Sequence, residues 1–170
     1  GYRGGVAYAN KENNTNVEIS AQYAESFSDA AKGKAIANSM YSDGCDVVFH
    51  AAGGVGTGVI EAAKDANKLA IGVDRDQAYL APENVLTSAL KRVNVAIIEI
   101  SEKILKDGKK GGDTISLGAT DDAVGIAEDH HLMSDDTYKA ALDLFDKIKA
   151  GSVVPPASKD DLDKYTKTLS

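Results

Sequence analysis

Apolar and polar positions along this chain follow two rhythms that take turns. Asp46-Val47-Val48-Phe49-His50-Ala51-Ala52 and Leu69-Ala70-Ile71-Gly72-Val73 are nearly continuous apolar runs of strand length. Such runs fit strands buried on both faces of a parallel sheet. Helical stretches stand between them. Ser28 or Asp29 can cap a helix that runs through Met40 and Tyr41 and stops at Gly44. Val59 to Ala66 reads as a second helix, entered through the glycine loop Gly53-Gly54-Val55-Gly56-Thr57-Gly58. Val85 to Leu90 is a further strand. Asn94 to Lys106 places Val95, Ile97, Ile98, Ile100, Ile104 and Leu105 on one broad apolar helix face. Ser134 caps a last amphipathic helix carrying Tyr138, Ala141, Leu142, Phe145 and Ile148, ended by Gly151.

Weaker patterns fill the rest. Tyr2 to Lys11 reads as a helix, or the tail of one, ended by the polar cluster Asn13 to Asn16. Val17, Ile19 and Ala21 alternate with Glu18, Ser20 and Gln22, the period of a strand. Thr114 to Leu117 and Val124 to Ala127 read as short strands, and Lys109-Lys110-Gly111-Gly112 as a turn. Ser158 to Leu162 can open one more short helix. Strand, loop and helix in repetition predict an α/β fold, a parallel sheet flanked by helices with right-handed crossovers.

Composition narrows the picture by exclusion. The chain has 170 residues, enough to bury one core without disulfides or a structural metal. One cysteine, Cys45, rules out an internal disulfide framework and a cysteine-built zinc site. Asp and Glu number 26 against 19 Lys and Arg, a net charge of −7 that argues against sequence-independent nucleic-acid binding. No apolar stretch is long enough for a membrane-spanning helix, and the first residues lack the apolar segment of a signal peptide.

Ligands of open parallel sheets sit beyond the carboxyl ends of the strands. That rule selects Ser26-Phe27-Ser28-Asp29, Gly53 to Gly58, Asp74-Arg75-Asp76-Gln77 and Lys91. The glycine loop lets backbone approach a ligand and offers N–H groups at a helix start. It is not the dinucleotide fingerprint, because its last glycine falls one place early. Asp74 still stands near the ~20-residue distance at which a ribose-binding acid follows such a loop. A NAD-type or nucleotide-binding domain using Gly53–Gly58 and Asp74 is therefore one reading, and a ligand-sensing regulatory module is another. Asp74 is an acceptor-only carboxylate suited to a vicinal diol. Phe27 stands in a polar loop as a stacking platform, and Lys91 can hold a hydroxyl. Phe49 belongs to the core. His50 reads as a satisfied strand-end histidine and Cys45 as a structural thiol. His130 and His131 lack the further ligands a metal needs. No nucleophile elbow occurs, so no catalytic residue is assigned.

Four stretches carry a resemblance. They are Tyr23-Ala24-Glu25-Ser26-Phe27-Ser28-Asp29-Ala30-Ala31-Lys32-Gly33-Lys34, Asp46 through Ala63, Ile71-Gly72-Val73-Asp74-Arg75-Asp76-Gln77, and Val85 through Val93, with Lys149-Ala150-Gly151 near the end. In this order they resemble the basic membrane protein (BMP) family of bacterial lipoproteins, the PnrA-like group. The resemblance implies a type I periplasmic-binding-protein fold whose two lobes close on a purine nucleoside and deliver it to an ABC transporter permease. It implies no enzyme activity and no cofactor, an extracytoplasmic, lipid-anchored location, and a ligand of the guanosine, inosine or adenosine class. Phe27 would stack on the base, the Gly53 and Gly54 backbone would line the site, Asp74 would accept from ribose hydroxyls, and Lys91 would support the sugar. Members of that family are about twice this length. The chain is thus expected to be mainly the second lobe, beginning inside its first helix. Residues 1–90 would be that lobe without its first strand, 91–123 a crossover packing with the first lobe, and 124–170 the return. A sheet edge left unpaired would be a route to self-association.

Overall fold

The computed structural model describes residues 1–108 and 111–169. Lys109 and Lys110, part of the expected turn, lie outside the described residues. Contacts divide the chain into two units: Gln22–Phe145, and Gly1–Ala21 together with the stretch from Asp146 onward.

The larger unit is built on a four-stranded sheet in the order β1 (Val47–Phe49), β2 (Leu69–Asp74), β3 (Val85–Lys91), β4 (Val124–Ile126). The first three strands are parallel, as their continuous apolar runs require, in register Val48 with Ala70 and Gly72 with Ser88. β4 departs from the all-parallel expectation, running antiparallel to β3 with Ala89 opposite Ile126. The segment before it, residues 113–118, is irregular, so the expected strand at Thr114 to Leu117 does not form.

Helices follow their caps. α2 (Ala30–Ser42) starts where the Asp29 side chain accepts from the Lys32 N–H at 3.0 Å, and Gly44 beyond its end takes φ +102°. The glycine segment is not a loop throughout. Gly53–Val55 form one 3₁₀ turn, and Gly56 already opens α3 (Gly56–Ala66). α2 packs on α3, and α3 on β2. The helix crossing is close enough that a methyl at Gly58 would meet the Ala30 carbonyl and the Lys34 N–H in the first turn of α2. The core here is made of Ala37, Tyr41, Val48, Val59, Ile60, Ala62, Ala63, Ala70, Ala81 and Val85, with Cys45 packed at its margin. Tyr41 keeps its hydroxyl satisfied by donating to the Leu69 carbonyl at 2.8 Å, and burial pushes its pKa up to about 12.

α4 (Val93–Asp107) forms where the helical spacing predicts it and ends at Gly108, φ +61°. Its apolar face stays open: Val93, Ile97, Ile98, Ile104 and Leu105 are all exposed. α5 (Asp135–Lys149) starts at Ser134, whose hydroxyl accepts from the Thr137 N–H.

In the smaller unit α1 (Tyr2–Asn13) packs on α6 (Lys159–Leu169), with Gly4 against Pro156 and Tyr165. α6 is capped reciprocally. Ser158 accepts from the Asp161 N–H, while Asp161 accepts from the Ser158 N–H and hydroxyl. The expected strand at Val17 to Ala21 does not form, and these residues belong to no sheet. The side chain of Asn10 holds Val17 from both sides, donating to its carbonyl at 3.1 Å and accepting its N–H at 2.8 Å. Alternation assigns faces to a strand but supplies no neighbour. Here a side-chain amide takes the place of one.

Candidate functional site

An open cleft of about 1040 Å³ lies in the larger unit. Gly53, Gly54 and Thr57 line it from the start of α3, Asp74 to Gln77 from the end of β2, and Lys91 to Asn94 from the end of β3. Ala127 to Asp129, just after β4, complete the lining. The strand-end rule thus brings Gly53, Gly54, Asp74 and Lys91 to one cleft.

Their local geometry follows from the backbone. Asp74 takes φ +68°, a left-handed conformation that Asp tolerates better than most residues. The turn aims its carboxylate at the Lys91 ammonium, which donates to it at 2.8 Å. The pair is more than half exposed on both sides, so its worth is accessible charge rather than stability. Phe27 is not among the lining residues. Its carbonyl accepts the Gly54 N–H at 2.8 Å, and its ring stands beside Gly53, 80% exposed. A large apolar ring held in solvent beside a cleft is available for stacking.

Arg75 and Asp76, selected with Asp74 at the same strand end, also line the cleft, and Arg92 joins them without a sequence signal. Arg75 donates to the Tyr79 hydroxyl at 2.6 Å and lies over its ring. Arg92 pairs with Asp122 and donates to that residue's carbonyl as well. Three cations and four carboxylates therefore line the cleft: Arg75, Lys91 and Arg92 against Asp74, Asp76, Glu128 and Asp129. Glu128 and Asp129 stand out in the sequence only as acidic neighbours of His130 and His131, and the antiparallel pairing of β4 carries them to the cleft.

The histidines divide by environment. His131 donates through one ring nitrogen to Asp129 at 2.8 Å and through the other to the Pro82 carbonyl at 3.0 Å. His130 faces the Glu128 carbonyl and the Asp135 carboxylate, and stacks on Tyr138 at 4.0 Å. Both rings meet acceptors on both nitrogens, the arrangement an imidazolium satisfies. The Asp129 hydrogen bond raises the pKa of His131, and the Glu128 carbonyl raises that of His130. Burial lowers that of His50. Among the described residues no group of three metal-ligating side chains occurs. In an NMR pH titration His130 and His131 are expected to change shift above the ordinary midpoint of about 6.5, and His50 below it. The two raised histidines stabilise the fold at low pH and lose that contribution as pH rises through their midpoints. His50 does the reverse: its cost appears as pH falls below about 6.5, where the unfolded chain takes a proton that the folded chain refuses. A His50 midpoint above that of His131 would contradict this assignment.

The Bmp family model, "ABC transporter substrate-binding protein PnrA-like", matches residues 1–159. The chain is 38% identical over 170 residues to basic membrane protein D of Borreliella burgdorferi, covering 97% of this chain and 49% of that protein. It is also 38% identical over 170 residues to basic membrane protein A of Borreliella afzelii, covering 98% of this chain and 51% of that one. It spans about half the length of the curated relatives it matches. No helix among the described residues is long and apolar enough to cross a membrane. The solved structure of ABC transporter system solute-binding proteins from Aeropyrum pernix K1 matches with a TM-score of 0.81 at 25% identity, over 99% of this chain and 56% of that one. A transcriptional activator of the comK gene from Bacillus halodurans gives 0.74 at 23% identity over 86% of this chain and 51% of that one, a likeness of fold alone. The fold agrees with a family match running from residue 1 to residue 159, and the chain belongs to the PnrA-like (Bmp) family of ABC transporter substrate-binding proteins.

Proposed function

We propose that this chain supplies one wall of a cleft that captures a purine nucleoside for an ABC transporter. The observation that carries the reading is the meeting of Gly53, Gly54, Asp74 and Lys91 on one cleft, with the exposed Phe27 ring beside Gly53. Asp74 offers acceptor oxygens to a ribose diol, and the Lys91 ammonium, 2.8 Å from one of them, holds the carboxylate in place. Gly53 and Gly54 keep the wall flat so that a base can reach the Phe27 ring. Stacking of this kind contributes about 1–3 kcal/mol per base. The charge balance favours a neutral nucleoside over a nucleotide, because Lys91 and Arg92 are already held by carboxylates and no cation excess awaits a phosphate.

The dinucleotide reading loses support at the same place. Gly56 and Gly58 are buried against His50 and Ala30, so a pyrophosphate has no access to them.

On this reading the protein binds without chemistry. Residues 1–90 and 124–170 belong to the second lobe of a two-lobed receptor held outside the cytoplasm by a lipid anchor. Residues 91–123 cross to the first lobe, which covers the exposed apolar face of α4. The 170-residue chain alone then binds guanosine weakly or below detection, while the two-lobed parent binds it tightly. Thermal shift on the parent tests this. Guanosine is expected to raise the melting temperature and NAD to leave it unchanged, and stabilisation by NAD without guanosine would overturn the reading.

A further inference from the structure

Behind the cleft wall lies a buried polar relay that none of the assigned ligand contacts explains. His50, at the end of β1, is 4% exposed. Its Nε2 lies 2.9 Å from Gln77 Oε1, and the same oxygen accepts the Val73 N–H at 2.8 Å. The backbone donor fixes which end of the Gln77 amide is oxygen. It follows that His50 Nε2 carries the proton and donates. Gln77 in turn donates its own N–H to Ser88 Oγ at 3.0 Å, and Ser88 is fully buried. Two glycines clear the space. A methyl at Gly56 would strike the His50 ring, and one at Gly72 would stand 2.6 Å from Ser88 Oγ and 2.8 Å from Gln77 Oε1.

Burying such groups is costly unless they are paired, so a fully apolar filling would serve a mere core better. What the relay does is local. Gln77 closes the turn from Val73 through Asp74 and Arg75 to itself, and Asp74 holds a left-handed φ inside it. His50 is the only side-chain donor recorded on Gln77 Oε1 among the described residues. We infer that His50 is a positioning residue of the cleft, acting through Gln77 to hold the turn that presents Asp74.

This inference rests on the nucleoside reading for its effect on affinity, but not for its effect on the turn. Two variants separate the roles. His50→Gln keeps an N–H donor at about the reach of Nε2, and His50→Leu keeps bulk but removes it. Amide hydrogen exchange on the 170-residue chain reads the turn directly. His50→Leu is expected to speed exchange of the Val73 and Gln77 amides about tenfold, one hydrogen bond's worth. The α3 amides should be unchanged, and His50→Gln should restore protection. Guanosine titration of the two-lobed parent reads the consequence, with affinity about tenfold weaker in His50→Leu and within about threefold of wild type in His50→Gln. Exchange that rises uniformly through the core, or does not change, or is equal in both variants, would overturn the inference. Faster exchange at the turn with unchanged guanosine affinity would also overturn it, as would an affinity loss that His50→Gln shares. Should the wild-type parent not bind guanosine, the nucleoside reading fails by itself, and the exchange pattern still decides whether His50 holds the turn.

Discussion

Gly58→Ala is expected to destabilise the chain more than any other single methyl added to an exposed or helical glycine. The new Cβ would meet the Ala30 carbonyl and the Lys34 N–H, which are backbone atoms in the first turn of α2 and cannot swing aside. Alanine is favoured over glycine within a helix by about 1 kcal/mol, and that gain opposes the clash. Overpacking of a rigid site costs about 1–3 kcal/mol and occasionally more, so the clash wins. A net loss of about 1–2 kcal/mol should lower the melting temperature by about 2–8 °C for a chain of this size. Gly5→Ala is the matched control, since Gly5 also lies in a helix and nothing stands within 4 Å of its added methyl. It should leave stability unchanged or raise it by up to ~1 kcal/mol. Thermal melts of both variants check the pair. Equal melting points would mean that α2 and α3 do not cross at Gly58.

Asp74→Asn should give the largest functional loss. Asparagine tolerates the left-handed φ nearly as well as aspartate, so the fold should keep its melting temperature. The lost ion pair with Lys91 is exposed and contributes little to stability. Hydrogen bonds to a charged acceptor are worth about 1.5–3 kcal/mol each, which predicts roughly 10- to 100-fold weaker binding of guanosine by the two-lobed parent. Guanine, which lacks the ribose, should bind the variant and the wild type alike. Equal losses for base and nucleoside would remove Asp74 from the sugar and put it elsewhere in the cleft.

How far the sequence disclosed this molecule can be judged residue by residue. α4 was legible because its isoleucines repeat at helical spacing. β1, β2 and β3 were legible because buried parallel strands are apolar on both faces. Val17 to Ala21 misled because alternation is visible in sequence while a pairing partner is not. Backbone freedom marks the glycines after β1 as a loop. Gly56 and Gly58 turned out to serve close packing inside a helix, against His50 and Ala30, and composition does not separate those two uses of glycine. The strand-end rule found Asp74 and Lys91 without foreknowledge that they pair. It could not find the link from His50 to Gln77, which joins residues from two different loops, nor Glu128 and Asp129, which depend on the reversal of β4. His50 was expected to be satisfied, and it is so at Nε2 only. Its Nδ1 has no partner among the described residues, and burial lowers the pKa of the ring.

Calorimetric titration of the two-lobed parent with a panel of small ligands tests the central claim most directly. Guanosine or inosine should bind tightly with a stoichiometry of one, while amino acids and simple sugars release no heat of binding. Binding of an amino acid or a sugar with no response to any purine nucleoside would contradict the account.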